Sequence, residues 1–178
     1  MIALLRRLGF TSFAFWFGSF GAFILGAGAM LVAFPFLFPP PVLNEPAPVA
    51  AMLAGPEAGR QKIAFEFDQN APGRDLIHWA NGSGQLIRTK QGWLLRLEKN
   101  FEAGPGPNYW IYFNTTGTGE EKDFLADKNR VKFAPLRAFK GAQNYLLPMT
   151  IDPEKFHSVT IWCETFGVYI GSAKLAKS

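Results

Sequence analysis

The chain has 178 residues, of which 48% are hydrophobic and 15% aromatic, and its formal net charge is +4. This length gives room for one domain with a sizeable core plus an appendage, and the apolar content excludes disorder over the whole chain. The apolar residues are unevenly spread, since nine of the 18 phenylalanines lie between Phe10 and Phe38. That bias argues against an ordinary soluble protein.

The first predicted element is a long uncharged segment. No charged residue occurs between Arg7 and Glu45, and about 20 apolar residues suffice to cross a bilayer. We predict a transmembrane anchor over residues 1–38. Pro35 and then the prolines at 39–41 should end its helix.

The flanking charges predict the orientation of this anchor. Arg6 and Arg7 should stay on the cytoplasmic side under the positive-inside rule. In a bacterium this gives a single-pass protein of the inner membrane, with a cytoplasmic N-terminus and a periplasmic C-terminal domain. A cleaved signal peptide is the competing interpretation, with residues 27–29 as a small-residue cleavage site. Strongly apolar sequence continues to Phe38, which favours the retained anchor.

Small residues recur every four positions along the anchor: Ala14, Gly18, Ala22 and Gly26. Such a stripe lets the backbone of another helix approach closely, so it predicts packing against other transmembrane subunits of a larger complex. The alternative is that small residues are simply common in membrane helices.

Two further zones follow the anchor. Residues 39–62 contain six prolines and few charges, which predicts a semi-rigid linker able to span about 70 Å when fully extended. Residues 63–178 carry short runs in which apolar and polar residues alternate, separated by glycine-rich turns. One run predicts a hairpin that turns near Gln91 and Gly92. No segment after Phe38 shows helical periodicity over ten residues, so we predict an all-β sandwich or partly closed barrel.

Few residues offer catalytic chemistry. His78 and His157 lie in different segments without ligand-like spacing, and a structural metal site lacks enough ligands. Cys163 and His157 would lie roughly 20 Å apart on one extended strand, which disfavours a nucleophile pair. Haem would need an axial pair such as His78 with Met149 or His157, and no attachment motif accompanies it. We therefore expect no catalytic residue, no metal, no cofactor and no enzymatic activity.

A basic stretch between Asp127 and Asp152 contains no acidic residue. It predicts contact with an acidic protein or a lipid surface, and its alternative is a solvated loop. A periplasmic location argues against nucleic acid as a partner. The stretch consists of Lys128, Arg130, Lys132, Arg137 and Lys140.

Cys163 is the single cysteine of the chain, so it cannot form a disulfide within it. Val159 and Ile161 share its phase, whereas the apolar positions that follow are even-numbered. We therefore predict a bulge or bend between Cys163 and Phe166. A buried inert thiol and a reactive redox thiol both remain open.

The C-terminal motifs "NYLLP" and "SVTIWCETFGVYIGSAKL" resemble the second half of the DM13 domain family. Upstream, "HWANGSG", "LLRLEKNF" and "GPGPNYWIYFN" resemble its first half, although the family often has an acidic and an aliphatic residue where this chain has "GPNYW". The resemblance covers residues 63–176. It implies a β-sandwich-like fold, a role in electron transfer or redox chemistry, and a characteristic cysteine with its surrounding signature: Cys163, Tyr145, Pro148, Trp162 and Glu164.

Anchor and resemblance together predict a non-enzymatic accessory subunit of a membrane electron-transfer complex, either respiratory or photosynthetic. A free-standing tethered redox protein that uses the Cys163 thiol is one alternative. A periplasmic binding module on a tether is the other.

Overall fold

The computed structural model describes residues 13–38, 42–48, 62–70, 72, 74–117 and 120–176. The chain forms two compact units, Met1–Phe38 and Pro39–Ser178. The first unit contains an apolar helix, and the second is mostly β, with a nine-stranded sheet that curls into a half-barrel. The predicted fold class is therefore confirmed.

The helix of the first unit, α1, runs from Phe13 to Leu37. Its segment Phe15–Phe34 is long and apolar enough to cross a membrane, a test that a signal sequence would also pass. Bulky side chains along it are exposed, among them Phe17, Phe20 and Phe23. The helix passes through Pro35, so the expectation that Pro35 ends it is wrong. The N–H of Phe38 still donates to the Phe34 carbonyl at 2.8 Å.

The second unit contains the strands, which are joined by tight turns and by longer loops. Those described are β1 Leu43–Asn44, β2 Lys62–Phe67, β3 Ala80–Asn81, β4 Ser83–Thr89, β5 Gly92–Leu97, β6 Glu102–Ala103, β7 Tyr109–Asn114, β8 Val131–Pro135, β9 Gly141–Leu146, β10 Ser158–Cys163 and β11 Val168–Ala176. The large sheet has the order β1-β9-β5-β4-β2-β11-β10-β7-β8, and β3 pairs with β6 separately. The predicted hairpin is present, because β4 and β5 turn at Lys90 and Gln91.

The concave face of the sheet holds the hydrophobic core. Period-two alternation places one apolar set from each strand on this face, and the sets of β5 and β7 are buried: Trp93, Leu95 and Leu97; Tyr109, Ile111 and Phe113. Phe113 stacks between Phe133 and Phe156, with ring centroids 5.4 Å from each. Aromatic packing therefore joins β7 to β8 and to the segment before β10.

The opposite face of β7 and β10 is covered as well. A short helix, α2, runs from Glu121 to Ala126 and buries Phe124. Tyr112 and Asn114 alternate with the core set, yet both are buried. The Asn114 amide donates to the Thr160 hydroxyl at 2.6 Å. Both faces of these strands are therefore shielded, as expected only where another element packs on the sheet.

The segment around the single cysteine is a hairpin. β10 ends at Cys163, residues 164–167 form the turn, and Gly167 has the positive φ of +63° that tight turns favour. The predicted bend between Cys163 and Phe166 corresponds to this turn. The register of β10 against β11 shifts within the paired strands, because Ile161 pairs with Gly171 while Trp162 pairs with Tyr169.

Part of the proline-rich segment lies on the β domain. Residues 42–48, which we call the strap, add the short parallel strand β1 to the edge strand β9. The backbone N–H groups of Leu43 and Glu45 donate to the carbonyls of Lys140 and Ala142, at 3.1 and 3.0 Å. The predicted division at residues 39–62 and 63–178 stays a prediction, and residues 49–61 lie outside the described part of the chain.

Two arginines fix the strap. The Glu45 carboxylate forms a two-pronged ion pair with Arg137, at 2.8 and 3.0 Å, and accepts the Asn144 N–H at 2.6 Å. Arg96 is 3% exposed and donates to the carbonyls of Glu45 and Pro46, at 3.1 and 3.2 Å. Paired guanidinium–carboxylate bonds are the strongest ordinary hydrogen bonds. These bonds from Arg96 and Arg137 therefore hold the strap in one position on the β domain.

Acid should loosen the strap. The hydrogen bond from Arg137 holds the pKa of Glu45 below its ordinary value. The ion pair therefore stabilises the fold above the unfolded pKa and is lost as pH falls through the folded pKa. We expect Glu45→Gln to cost about 1 kcal/mol at pH 7, because the pair is partly exposed. In urea titrations this difference should shrink below about pH 4.

The exposed strand residue Glu66 provides the matched control. Glu66→Gln should leave the free energy of unfolding nearly unchanged at pH 7. A Glu45→Gln deficit that is equally large at pH 3 and pH 7 would show that the Glu45 charge does not hold the strap.

Candidate functional site

Cys163 is the last residue of β10, and its side chain belongs to the hydrophobic core on the concave side of the sheet. It is 2% exposed, and its thiol donates to the Pro107 carbonyl with Sγ and O 3.1 Å apart. Its cross-strand neighbours are Tyr109 on β7 and Val168 on β11. The thiol is thus covered and hydrogen-bonded rather than open to solvent.

The loop of residues 104–108 forms this cover. Asn108 has a φ of +57°, unusual for a residue other than glycine. Its side-chain oxygen accepts the Trp110 indole N–H at 2.8 Å, and its carbonyl accepts the Glu164 N–H at 3.1 Å. The loop is therefore bonded both to β7 and to the turn that follows Cys163.

A second loop, residues 74–79, packs against the first. The Gly104 N–H donates to the Trp79 carbonyl at 2.8 Å. Within the loop, the Asp75 carboxylate bonds to His78 Nδ1 at 2.7 Å and accepts the His78 N–H at 2.6 Å. These bonds lower the pKa of Asp75 to about 2, with the His78 side chain as the largest cause.

Tyr109 is a buried tyrosine at the start of β7. It is 4% exposed, and burial raises the pKa of its phenol, with smaller contributions from Cys163 and Asp75. Tyr109 is thus a buried phenol that pairs across the strands with Cys163. His157, the other histidine considered for chemistry, is exposed just before β10, at the end of that strand opposite Cys163.

The signature residues that flank Cys163 lie on the other side of the sheet. The Glu164 carboxylate accepts the Tyr112 hydroxyl, and its second oxygen lies 3.0 Å from Lys132 Nζ. Trp162 packs on Phe124 of α2, with ring centroids 4.9 Å apart. At the end of β10 the Cys163 thiol therefore faces the core, while Trp162 and Glu164 contact aromatic side chains on the outer face.

The remaining signature residues lie elsewhere. The Tyr145 hydroxyl donates to the Gln143 side-chain oxygen at 2.7 Å, and Arg137 lies over its ring at 4.6 Å. Pro148 lines an open cleft of about 810 Å³ between the β4–β5 turn and the segment before β10. Met149, considered as a haem ligand, is 97% exposed in the same cleft. Tyr145 and Pro148 thus have contacts separate from those of Cys163.

The predicted basic stretch does not form a free patch. Lys132 pairs with Glu164, Arg137 with Glu45 and Lys140 with Glu102. Arg130 donates to the carbonyls at the C-terminal end of α2 and lies 4.9 Å from the Phe124 ring centroid. Lys128 is exposed. Contact with an acidic protein or lipid surface stays a prediction, and these ion pairs would compete with it.

The small-residue stripe lies on α1. Gly18, Ala22 and Gly26 are exposed, and a side chain added at Gly18 or Gly26 would meet nothing within 4 Å. The side chain of Ala14 lies outside the described part of the chain. Among the described residues, no three His, Cys, Asp or Glu side chains form a group that could hold a metal ion.

Tyr109, Tyr112 and the Asp75–His78 pair were not predicted as site residues from the sequence. A signal existed for Asp75, because aspartate side chains in turns commonly accept the backbone N–H two residues on, as Asp75 does from Ile77 at 2.7 Å. The Tyr112–Glu164 bond joins residues 52 positions apart, so only the pairing of β7 with β10 brings them together.

The protein has the architecture of a half-barrel β domain that follows an apolar helix in the sequence. Its one cysteine is buried at the end of a strand. The model of the family described as electron transfer DM13 matches residues 73–175. This match covers more than half of the 178 residues, and the chain belongs to the DM13 family. The family description supports a redox-related role. No curated protein and no solved structure matches the chain.

The cover over Cys163 predicts slow thiol chemistry. We expect a thiol reagent to label the native protein far more slowly than the protein in denaturant, because the sulfur is buried and hydrogen-bonded. Since Cys163 is the single cysteine, all labelling reports on this site. Comparable rates in the two conditions would contradict a packing role and favour a reactive thiol.

Substitutions at Cys163 should have modest effects. Cys163→Ala should cost about 1 kcal/mol of unfolding free energy through lost packing. The sequence alone predicts that Cys163→Ser is worse, since a buried hydroxyl needs an acceptor. The Pro107 carbonyl provides that acceptor, so we expect the serine variant to lose no more than the alanine variant in urea titrations.

Proposed function

We propose that this chain is a membrane-anchored periplasmic DM13 protein that acts as a non-enzymatic accessory subunit of a membrane electron-transfer complex, respiratory or photosynthetic. The observation that carries the proposal is the presence, in one chain, of an exposed apolar helix and an electron-transfer DM13 domain. A helix that is apolar on all sides is typical of a membrane span. Its small-residue stripe supports packing against other transmembrane subunits.

The topology gives the first test. We expect residues 39–178 to be exported with the anchor retained, because Arg6 and Arg7 hold the N-terminus in the cytoplasm. A reporter fused after Ser178 should be active only if it is of the type that requires export. Recovery of a mature N-terminus near Met30 would instead identify a cleaved signal peptide.

Assembly gives the second test. The full chain is extracted in mild detergent and separated by native electrophoresis, and the visible absorbance of its band is recorded. Co-migration with a pigmented or haem-containing assembly is the expected result. A colourless monomer would contradict the accessory-subunit proposal and favour a free-standing redox protein or a binding module.

The stripe can be tested in the same assay. Gly18→Leu combined with Ala22→Leu keeps the helix apolar but prevents close approach of another helix, so association should weaken while the protein stays in the membrane. Ala27→Leu places the same side chain on the opposite helix face and is the control. Unchanged co-migration of the double variant would remove the stripe from the proposal.

A further inference from the structure

Tyr112 and Glu164 form a hydroxyl–carboxylate pair on the outer face of the sheet. Tyr112 is 8% exposed, and its hydroxyl donates to Oε1 of Glu164. Tyr145, by comparison, is a buried tyrosine that donates to the neutral amide oxygen of Gln143. Tyr112 is thus a shielded phenol that already shares its proton with a charged acceptor.

Glu164 is suited to accept that proton. The hydrogen bond from Tyr112, followed by the charges of Lys132 and Arg130, holds the pKa of Glu164 below its ordinary value, so it is ionised at neutral pH. Burial and the neighbouring carboxylate raise the pKa of Tyr112, so this phenol keeps its proton in the resting state. The side chains of Glu164 and Lys132 are 27% and 41% exposed, which gives a transferred proton a route to solvent.

Aromatic rings surround the phenol. The Tyr112 ring meets Phe124 edge-on at 5.3 Å, and Phe124 lies 4.9 Å from the Trp162 ring. Trp162 pairs across the strands with Trp110, next to the Tyr112–Thr160 pair. Both indoles are partly exposed. Tyr112 is therefore one diagonal cross-strand step, roughly 7–8 Å, from an indole that reaches the surface.

We propose that Tyr112 is a redox-active tyrosine, which gives one electron to an external one-electron oxidant by way of Trp162 while its phenol proton moves to Glu164. The Tyr112 O–H bond breaks, an O–H bond forms at Glu164 Oε1, the oxidant gains one electron, and a neutral tyrosyl radical remains. The oxidant is a high-potential metal or pigment centre of a partner. The inference rests on the proposed redox role of the domain.

The test uses the full chain in detergent with flash-generated ruthenium(III) tris-bipyridine as the oxidant. Transient absorption and electron paramagnetic resonance detect the radical, and ring-deuterated tyrosine narrows the resonance only if the radical is a tyrosyl. We expect Tyr112→Phe to remove most of this signal. Tyr145→Phe, which alters a tyrosine bonded to an amide, is the matched control and should keep it.

Glu164→Gln tests the proton acceptor. An amide cannot take the phenol proton, so radical formation should slow by about 10-fold or more. The wild-type rate should also fall as pH drops through the lowered pKa of Glu164, a readout that needs no variant and is unaffected if Glu164→Gln folds poorly. An unchanged radical yield in Tyr112→Phe, or a folded Glu164→Gln variant that forms the radical at the wild-type rate, would overturn the proposal. Native electrophoresis tests complex membership separately, so either result can fail without the other.

Discussion

Replacing Gly141 with alanine should detach the strap and lower the free energy of unfolding by about 3 kcal/mol. Gly141 has a φ of +91°, a conformation that residues with a side chain rarely adopt. A Cβ at this position would also overlap the carbonyl oxygen of Leu43, its partner in the strap. The substitution therefore adds a steric clash to a backbone cost.

Gly92 separates these two effects. It has a φ of +126°, yet a Cβ there would come no closer than 3.8 Å to another residue. Gly92→Ala should therefore lose only about 1–2 kcal/mol. Hydrogen exchange of the Leu43 and Glu45 amides, which are bonded to β9, should become fast in Gly141→Ala and stay slow in Gly92→Ala. Equal protection of both amides in the two variants would show that the strap tolerates the clash.

Gly104→Ala should open the cover of Cys163. A Cβ at Gly104 would overlap the carbonyl of Ile77, so the loops 74–79 and 104–108 could no longer pack as they do. We expect a loss on the order of 3 kcal/mol. Because Cys163 donates to Pro107 in the displaced loop, the native thiol should also label faster.

Gly117→Ala is the matched control, since a Cβ there would lie at an ordinary 3.5 Å from His157 Cβ. It should change neither stability nor labelling. If Gly104→Ala labelled at the wild-type rate despite its lower stability, the two loops would not be what shields the thiol.

The alternation of apolar and polar residues correctly indicated which strand residues face the concave side of the sheet. In the alternating sequence of β2, Phe65 and Phe67 share one face of the strand, and both are buried. The prediction succeeded because a strand with one buried face alternates apolar and polar residues, so its sequence shows which face is buried. The alternation could not reveal that α2 covers the opposite face of β7, since six helical residues are too few to show a period.

The strap was missed for a related reason. Its composition of prolines and small residues is typical of a spacer, and only the folded domain brings Arg96 and Arg137 to the Glu45 and Pro46 groups that they bind. Charges that lie about 50 to 90 positions apart in sequence give no local signal.

The candidate site was predictable only in part. The DM13 resemblance singled out Cys163, Trp162 and Glu164, but not that strand alternation sends the thiol to the core and the other two side chains outward. Tyr112 lies within the quoted motif "GPGPNYWIYFN", but the resemblance assigned it no role. Its role depends on a hydrogen bond across paired strands, which needs the register of β7 against β10.

Electron flow in native membranes with and without this chain tests the electron-transfer role most directly. An electron-transfer centre of the isolated membranes is oxidised by a pulse, and its re-reduction is followed by absorbance. We expect deletion of the chain to slow re-reduction several-fold, and we expect the full chain, but not the Gly18→Leu, Ala22→Leu double variant, to restore it. An identical re-reduction rate in membranes that lack the chain would contradict a role in electron transfer.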